Sequence, residues 1–128
     1  MVNMKKLTLL LCIILLSSTV MAQSQLKSVE FEIGAMSASN IMVKMDATIS
    51  ISDSTLKFTF ENRMPIYNIV KYSESFNKYL LSDGIDDFVF TIVEQKGKMK
   101  GYDYTYLGLF EIKSKSYTVS YALNKKSQ

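Results

Sequence analysis

Met45-Asp46-Ala47-Thr48-Ile49-Ser50-Ile51 runs into Ser52-Asp53-Ser54-Thr55, and Leu56-Lys57-Phe58-Thr59-Phe60 follows. On either side of the Asp53-Ser54 pair the apolar residues recur every second position, the period at which side chains of an extended strand return to the same face. If Asp53 and Ser54 form a two-residue loop, Ile51 faces Leu56, Ile49 faces Phe58 and Ala47 faces Phe60. Every apolar residue then meets another apolar residue, so turn and pattern agree on one antiparallel register. The same register sets Asp46 opposite Glu61.

The alternation extends outward in both directions. Val29, Phe31 and Ile33 alternate with Ser28, Glu30 and Glu32, and Ile41, Val43 and Met45 with Met42, Lys44 and Asp46. Beyond Pro65 the segment 66–73 is less regular, with Tyr67 and Ile69 on one phase and Ile66, Val70 and Tyr72 on the other. Phe88, Phe90 and Ile92 share a face. So do Tyr102, Tyr104, Tyr106, Phe110 and Ile112, and after them Tyr117, Val119, Tyr121 and Leu123. Turn chemistry falls between these runs, at 37–40, Asn62–Pro65, Ser75–Asn77, Asp83-Gly84, Lys96-Gly97-Lys98 and Lys113–Ser116. A loop at Ser114-Lys115 sets Ile112 opposite Tyr117, Phe110 opposite Val119 and Gly108 opposite Tyr121, whose ring would cover the glycine. A loop at Lys96–Lys98 sets Phe88, Phe90 and Ile92 opposite Tyr106, Tyr104 and Tyr102.

The expectation is an all-β antiparallel meander of seven or eight short strands. Short connections favour an up-and-down barrel, and a two-layer β-sandwich is the alternative.

Residues 1–22 read as an export signal. Lys5 and Lys6 precede the apolar stretch Leu7–Leu16, and Val20-Met21-Ala22 ends in a small residue. The stretch is shorter than the roughly 20 apolar residues a bilayer span needs. Met4 would serve as an alternative start. Removing these 22 residues leaves 106 of the 128 and takes away two lysines, so the formal charge falls from +3 to +1. It also takes away Cys12, the one cysteine, so the remaining domain, 23–128, has no disulfide and is held by its core. The eight tyrosines and seven phenylalanines all lie in that domain and are its main core material. The balance of charge is too small to indicate nucleic acid. The expected destination is the periplasm or the cell exterior.

An export signal followed by Met45–Ile51 and Leu56–Phe60 opens a longer pattern. Tyr67-Asn68-Ile69-Val70-Lys71-Tyr72 and Phe90-Thr91-Ile92-Val93-Glu94 come next, then a Gly-Lys turn, and Tyr117-Thr118-Val119 stands near the end. In this pattern the chain resembles small exported all-β bacterial proteins of uncharacterised function. The resemblance implies an exported β-meander and transfers no activity.

Chemistry-bearing constellations are few. The chain contains no histidine, which excludes Ser-His-Asp and Cys-His catalysis and His-ligated metals. Asp83, Asp86 and Asp87 beside Gly84 are oxygen donors on a turn, but their spacing is not that of a calcium loop, and a solvated turn is the expectation. The lysines at 96, 98 and 100 and those at 113 and 115 flank opposite ends of strand 102–112, so no continuous basic patch is expected. Tyr102, Tyr104, Tyr106 and Tyr121 are the candidate ligand-binding residues, because a tyrosine stripe is more polar than a core requires. Leu107 and Leu109, on the opposite phase, are the candidate surface contact, open or covered by the segment around Leu26. No cofactor or metal is expected, and no membrane span after signal cleavage. The expected function is non-enzymatic binding of a protein, a cell surface or a small molecule, with a lipid or glycan carrier as the alternative. A charge at Tyr104 is expected to be costly and one at Thr105 tolerated.

Overall fold

The computed structural model describes residues 28–126, so the export signal expected at 1–22 lies outside the described residues. Eight strands follow one another: β1 (Val29–Ala38), β2 (Ile41–Ile51), β3 (Thr55–Thr59), β4 (Ile66–Ser73), β5 (Lys78–Ser82), β6 (Asp87–Met99), β7 (Tyr102–Ile112) and β8 (Tyr117–Lys125). Each pairs antiparallel with the next, and β8 closes on β1, giving an up-and-down barrel rather than a sandwich. Closure leaves no free sheet along most of the wall, which suits a protein whose strands are rich in β-branched and aromatic residues.

The register at the centre of the sequence is the expected one, with Ile51 on Leu56 and Ile49 on Phe58. β3 ends at Thr59, opposite Thr48, so the expected facing of Asp46 on Glu61 does not form. Phe60 instead closes a tight turn by donating its N–H to the carbonyl of Arg63. The β7–β8 register is also as expected, Ile112 on Tyr117 through Gly108 on Tyr121, although a 3₁₀ turn at Lys113–Lys115 makes the connection.

One register differs by six residues. β6 does not stop at Ile92 but runs on through Lys96-Gly97-Lys98, and the turn is Lys100-Gly101. Both turn residues have positive φ, at 50° and 82°, the two-residue geometry that matches the right-handed twist of the flanking strands. Phe88, Phe90 and Ile92 therefore face Ile112, Phe110 and Gly108, not the tyrosines.

The core is the inward phase of every strand. Phe58 and Phe90 are its largest fully buried side chains. The Phe58 ring meets Phe60, Tyr67, Phe90, Phe110 and Tyr121 at centroid separations of 5.4 to 6.1 Å. Those with Tyr67, Phe90 and Phe110 are edge-to-face, and pairs of that geometry contribute about 0.5–1.5 kcal/mol each beyond the area they bury. The irregular strand of the sequence has a physical cause: β4 and β5 slip register between Ile69 and Lys71, a bulge at Val70. It lets Tyr67, Ile69 and Tyr72 all pack on the core while Ile66 and Val70 face solvent. On the outer phase Glu30, Glu32, Lys44, Asp46, Lys71 and Glu111 are exposed. Among the described residues no helix is long and apolar enough to cross a membrane.

Candidate functional site

The tyrosine stripe of β7 does not stay on one face. Tyr106, Phe110 and Ile112 pack on the barrel core, with Tyr106 edge-on to Phe31 at 5.6 Å. Tyr102 and Tyr104 pack with Ala35, Met99, Ala122 and Leu107 in a second cluster. That cluster lies outside the wall. Leu123 and Gly108 point inward, a Cβ on Gly108 meeting Phe90 and Leu123, so their neighbours Ala122 and Leu107 point outward. The cause is the length of the β6–β7 hairpin. β5 accompanies β6 only to Thr91, and β8 pairs β7 only to Tyr106. The remaining arm is a two-stranded ribbon with a register shift between Glu94 and Gly97. Free ribbons twist more than strands inside a sheet, and a bulge adds twist, so the arm rolls its even face from the interior onto the outer wall.

Where the arm lands, β1 is prepared for it. A Cβ on Gly34 would fall within the ring of Tyr102, so only glycine lets the ring lie on the strand. β1 shifts register at Gly34 against both β2 and β8, which turns Ala35 outward to join Ala122. Ala35 and Ala122 are fully buried by the cluster above them. The Tyr102 hydroxyl donates to Glu32 Oε1 at 2.9 Å and accepts from Asn124 Nδ2 at 2.9 Å. Asn124 also donates to the Asp103 carbonyl, and its Oδ1 accepts from both the N–H and the hydroxyl of Thr105. One asparagine side chain thus makes four hydrogen bonds and ties the arm to the barrel end. Burial first, and Glu32 beside it, hold the Tyr102 hydroxyl above its ordinary pKa, against the opposing bond from Asn124.

Between the landed arm and the outer wall lies a groove of about 300 Å³, lined by Glu32, Ile33, Gly34, Lys44, Met45, Asp46, Gly101 and Tyr102. Two carboxylates, one ammonium, a phenol ring and the bare backbone of two glycines meet there. Of the candidate residues named from sequence, only Tyr102 lines this groove. Tyr104 lies over Gly97, whose Cβ would strike its ring. Tyr106 packs on the core, and Tyr121 is buried in it, its ring 5.4 Å from that of Phe58. Leu107 lies under the tyrosine cluster, and Leu109 is half-buried opposite Ser120 and Thr91. Leu107 is thus covered by the arm, while Leu26 lies outside the described residues. Glu32, Gly34, Lys44 and Asp46 had no signal in the sequence beyond their outward phase. The contact joins residues 70 apart in the chain, and alternation says nothing about which distant strand an arm will reach.

Asp83 is occupied by its own turn: its Oδ1 accepts the N–H groups of Ile85 at 2.9 Å and Asp86 at 2.8 Å. Those two bonds hold its carboxyl below the ordinary range. Among the described residues no group of three or more acidic residues is placed to hold a metal ion.

Fold and site together define a closed eight-stranded antiparallel barrel with an aromatic-filled interior and a groove on its outer wall. Compared with protein-family models, curated proteins and solved structures, the chain matches none.

Proposed function

We propose that this chain is an exported, non-enzymatic binding module that works from the outside of its barrel, with the groove beneath Tyr102 as its ligand site. The observation that supports this most is the contrast between the two spaces. The interior is filled by mutually packed rings around Phe58, whereas the open volume of about 300 Å³ sits on the outer wall beside charged and aromatic groups. A carrier of lipids would need the reverse, an apolar cavity inside. The charged outer phase also favours an aqueous setting, because a bilayer-facing barrel carries its apolar band outward.

The groove chemistry favours a hydroxyl-rich ligand such as a glycan. Glu32 and Asp46 accept hydrogen bonds, Lys44 donates, and the Tyr102 ring offers an apolar surface pinned in place. The bare backbone at Gly34 and Gly101 allows close approach.

The test is amide NMR with a panel of soluble neutral oligosaccharides as probes. The expected outcome is movement of the Gly34, Lys44 and Gly101 resonances with at least one probe, lost in Lys44→Ala and Tyr102→Ala. Shifts confined to inward residues such as Phe58 and Phe90, or uptake of a long-chain fatty acid into the barrel, would support the carrier reading instead.

A further inference from the structure

The first half of β2 has no partner on its β3 side. β2 continues to Ile41, but β3 ends at Thr59 opposite Thr48. Ile41–Lys44 and Ala47 therefore have partners on the β1 side only, and Met45 and Asp46, where the β1–β2 register shifts, are paired on neither side. The β3–β4 connection does not cover this edge, because Phe60 turns back onto Arg63 and Phe58 bonds onward to the carbonyl of Pro65. The segment is apolar where an edge is ordinarily guarded: Ile41, Met42 and Val43 are 64, 51 and 45 % exposed. Lys44 and Asp46 are the two charges on it. Both are exposed, and neither makes an ion pair among the described residues.

We propose that this edge pairs with the same edge of a second copy of the chain, antiparallel about a two-fold axis at Met45. The charges select the register. The Ser52 N–H donates to the Thr55 carbonyl at the β2–β3 turn, so even-numbered residues of β2 turn their backbone groups toward the β3 side. On the open stretch those residues are Met42, Lys44 and Asp46. An axis at Met45 sets Lys44 of each copy opposite Asp46 of the other, in backbone-bonded positions. It gives four main-chain hydrogen bonds and two opposite-charge pairs. Met45 then meets its own counterpart, and Val43 meets Ala47, on the inner face. An axis at Lys44 would place two ammonium groups face to face, and an axis at Val43 would leave Lys44 against Met42. Pairing stops at Ala47, because Thr59 already occupies Thr48. The association closes at two copies, since a two-fold axis uses the same edge of each. The edge's two charges, Lys44 and Asp46, also line the groove, so pairing and ligand binding would draw on the same side chains.

Sedimentation equilibrium of the described domain, up to several hundred micromolar, tests the pairing directly. Monomer and dimer in concentration-dependent balance are expected. Lys44→Asp and Asp46→Lys, each creating like-charge pairs across the axis, should weaken dimerisation roughly tenfold or more. The double variant Lys44→Asp/Asp46→Lys, which restores both pairs with the signs exchanged, should return the constant to within roughly threefold of the parent. Both side chains are exposed, so unchanged thermal unfolding of the monomer confirms that folding is intact. A parent protein that stays monomeric throughout would overturn the proposal. So would a dimer whose constant ignores the single reversals, or one that the double reversal fails to restore.

Discussion

Two glycines fix how closely aromatic rings approach the backbone, and they do so on opposite sides of the wall. Gly108 faces inward, where an added Cβ would stand 2.7 Å from Phe90 and 2.9 Å from Leu123. Both neighbours are fully buried, so neither can yield without disturbing the core. Gly108→Ala is expected to lower stability by about 1–3 kcal/mol, the ordinary cost of overpacking, read as a fall in the urea midpoint. Gly34→Ala strikes the Tyr102 ring instead, and that ring belongs to a protruding arm. Its expected result is release of the arm: faster amide exchange across 97–105 with the barrel strands still protected. Uniform loss of protection in Gly34→Ala would show that arm and barrel unfold as one unit. The tyrosines carry a pH dependence at the same scale. Burial pushes the Tyr121 hydroxyl up to about 12 and raises Tyr67 and Tyr79 as well. A raised folded-state pKa means the folded chain holds its proton more tightly than the unfolded chain does. The stability it confers is complete below the ordinary value of 10 and is lost as pH rises toward 12. Unfolding midpoints should therefore fall above pH 10, and ultraviolet titration should show a late set of tyrosines that ionises only as the barrel opens. Ionisation of all eight together near pH 10 would contradict that burial.

At the scale of elements, the arm formed by the ends of β6 and β7 is held by side chains rather than by a sheet. Asn124 supplies four of its bonds, so Asn124→Leu should free residues 97–105 while leaving Phe110 and Tyr121 in place. Losing a network of this kind costs about 1–3 kcal/mol in the part it holds. Alternation along β7 puts the cost of a charge at Tyr104 and spares Thr105. The observed contacts redistribute it. Thr105 is bonded to Asn124 Oδ1 through both its N–H and its hydroxyl, so Thr105→Asp would set a carboxylate against an acceptor. Tyr104→Asp would lose the cover over Gly97 but would not bury a charge in the barrel. The two variants should lie within about 1 kcal/mol of each other in urea titration, while Phe110→Asp, inside the core, should cost several kcal/mol or prevent folding.

For the whole molecule, closure of β8 on β1 means that the first and last strands stabilise each other. The Lys126 N–H donates to the Glu30 carbonyl, and Lys126 also reaches the Glu30 carboxylate at 4.0 Å. An exposed pair at that distance contributes little, so the seam rests on Phe31, Ile33, Tyr121 and Leu123 in the core. If residues 1–22 are removed on export, intact-mass measurement on protein from its native host should give a chain beginning at Gln23. No cysteine follows Cys12, so thermal unfolding of that form should be indifferent to reductant. Retention of Leu7–Leu16 would refute the export reading.

Alternation and turn chemistry determined the all-β class and the strand phases away from the bulges, and apolar facing determined the two hairpin registers around Asp53-Ser54 and Ser114-Lys115. These are local relations: a strand has two faces, and a short loop fixes which residues oppose each other. The β6–β7 register escaped because Gly97 offers a turn as plausible as Gly101, and only the neighbours' lengths decide where a hairpin stops being part of a sheet. The division of the tyrosine stripe, the landing of Tyr102 on Gly34 and the groove with Glu32, Lys44 and Asp46 were decided by tertiary structure alone. They depend on barrel closure, which brings β1 beside β8, and on the twist of an unsupported ribbon. Neither leaves a periodic trace in the residues it brings together.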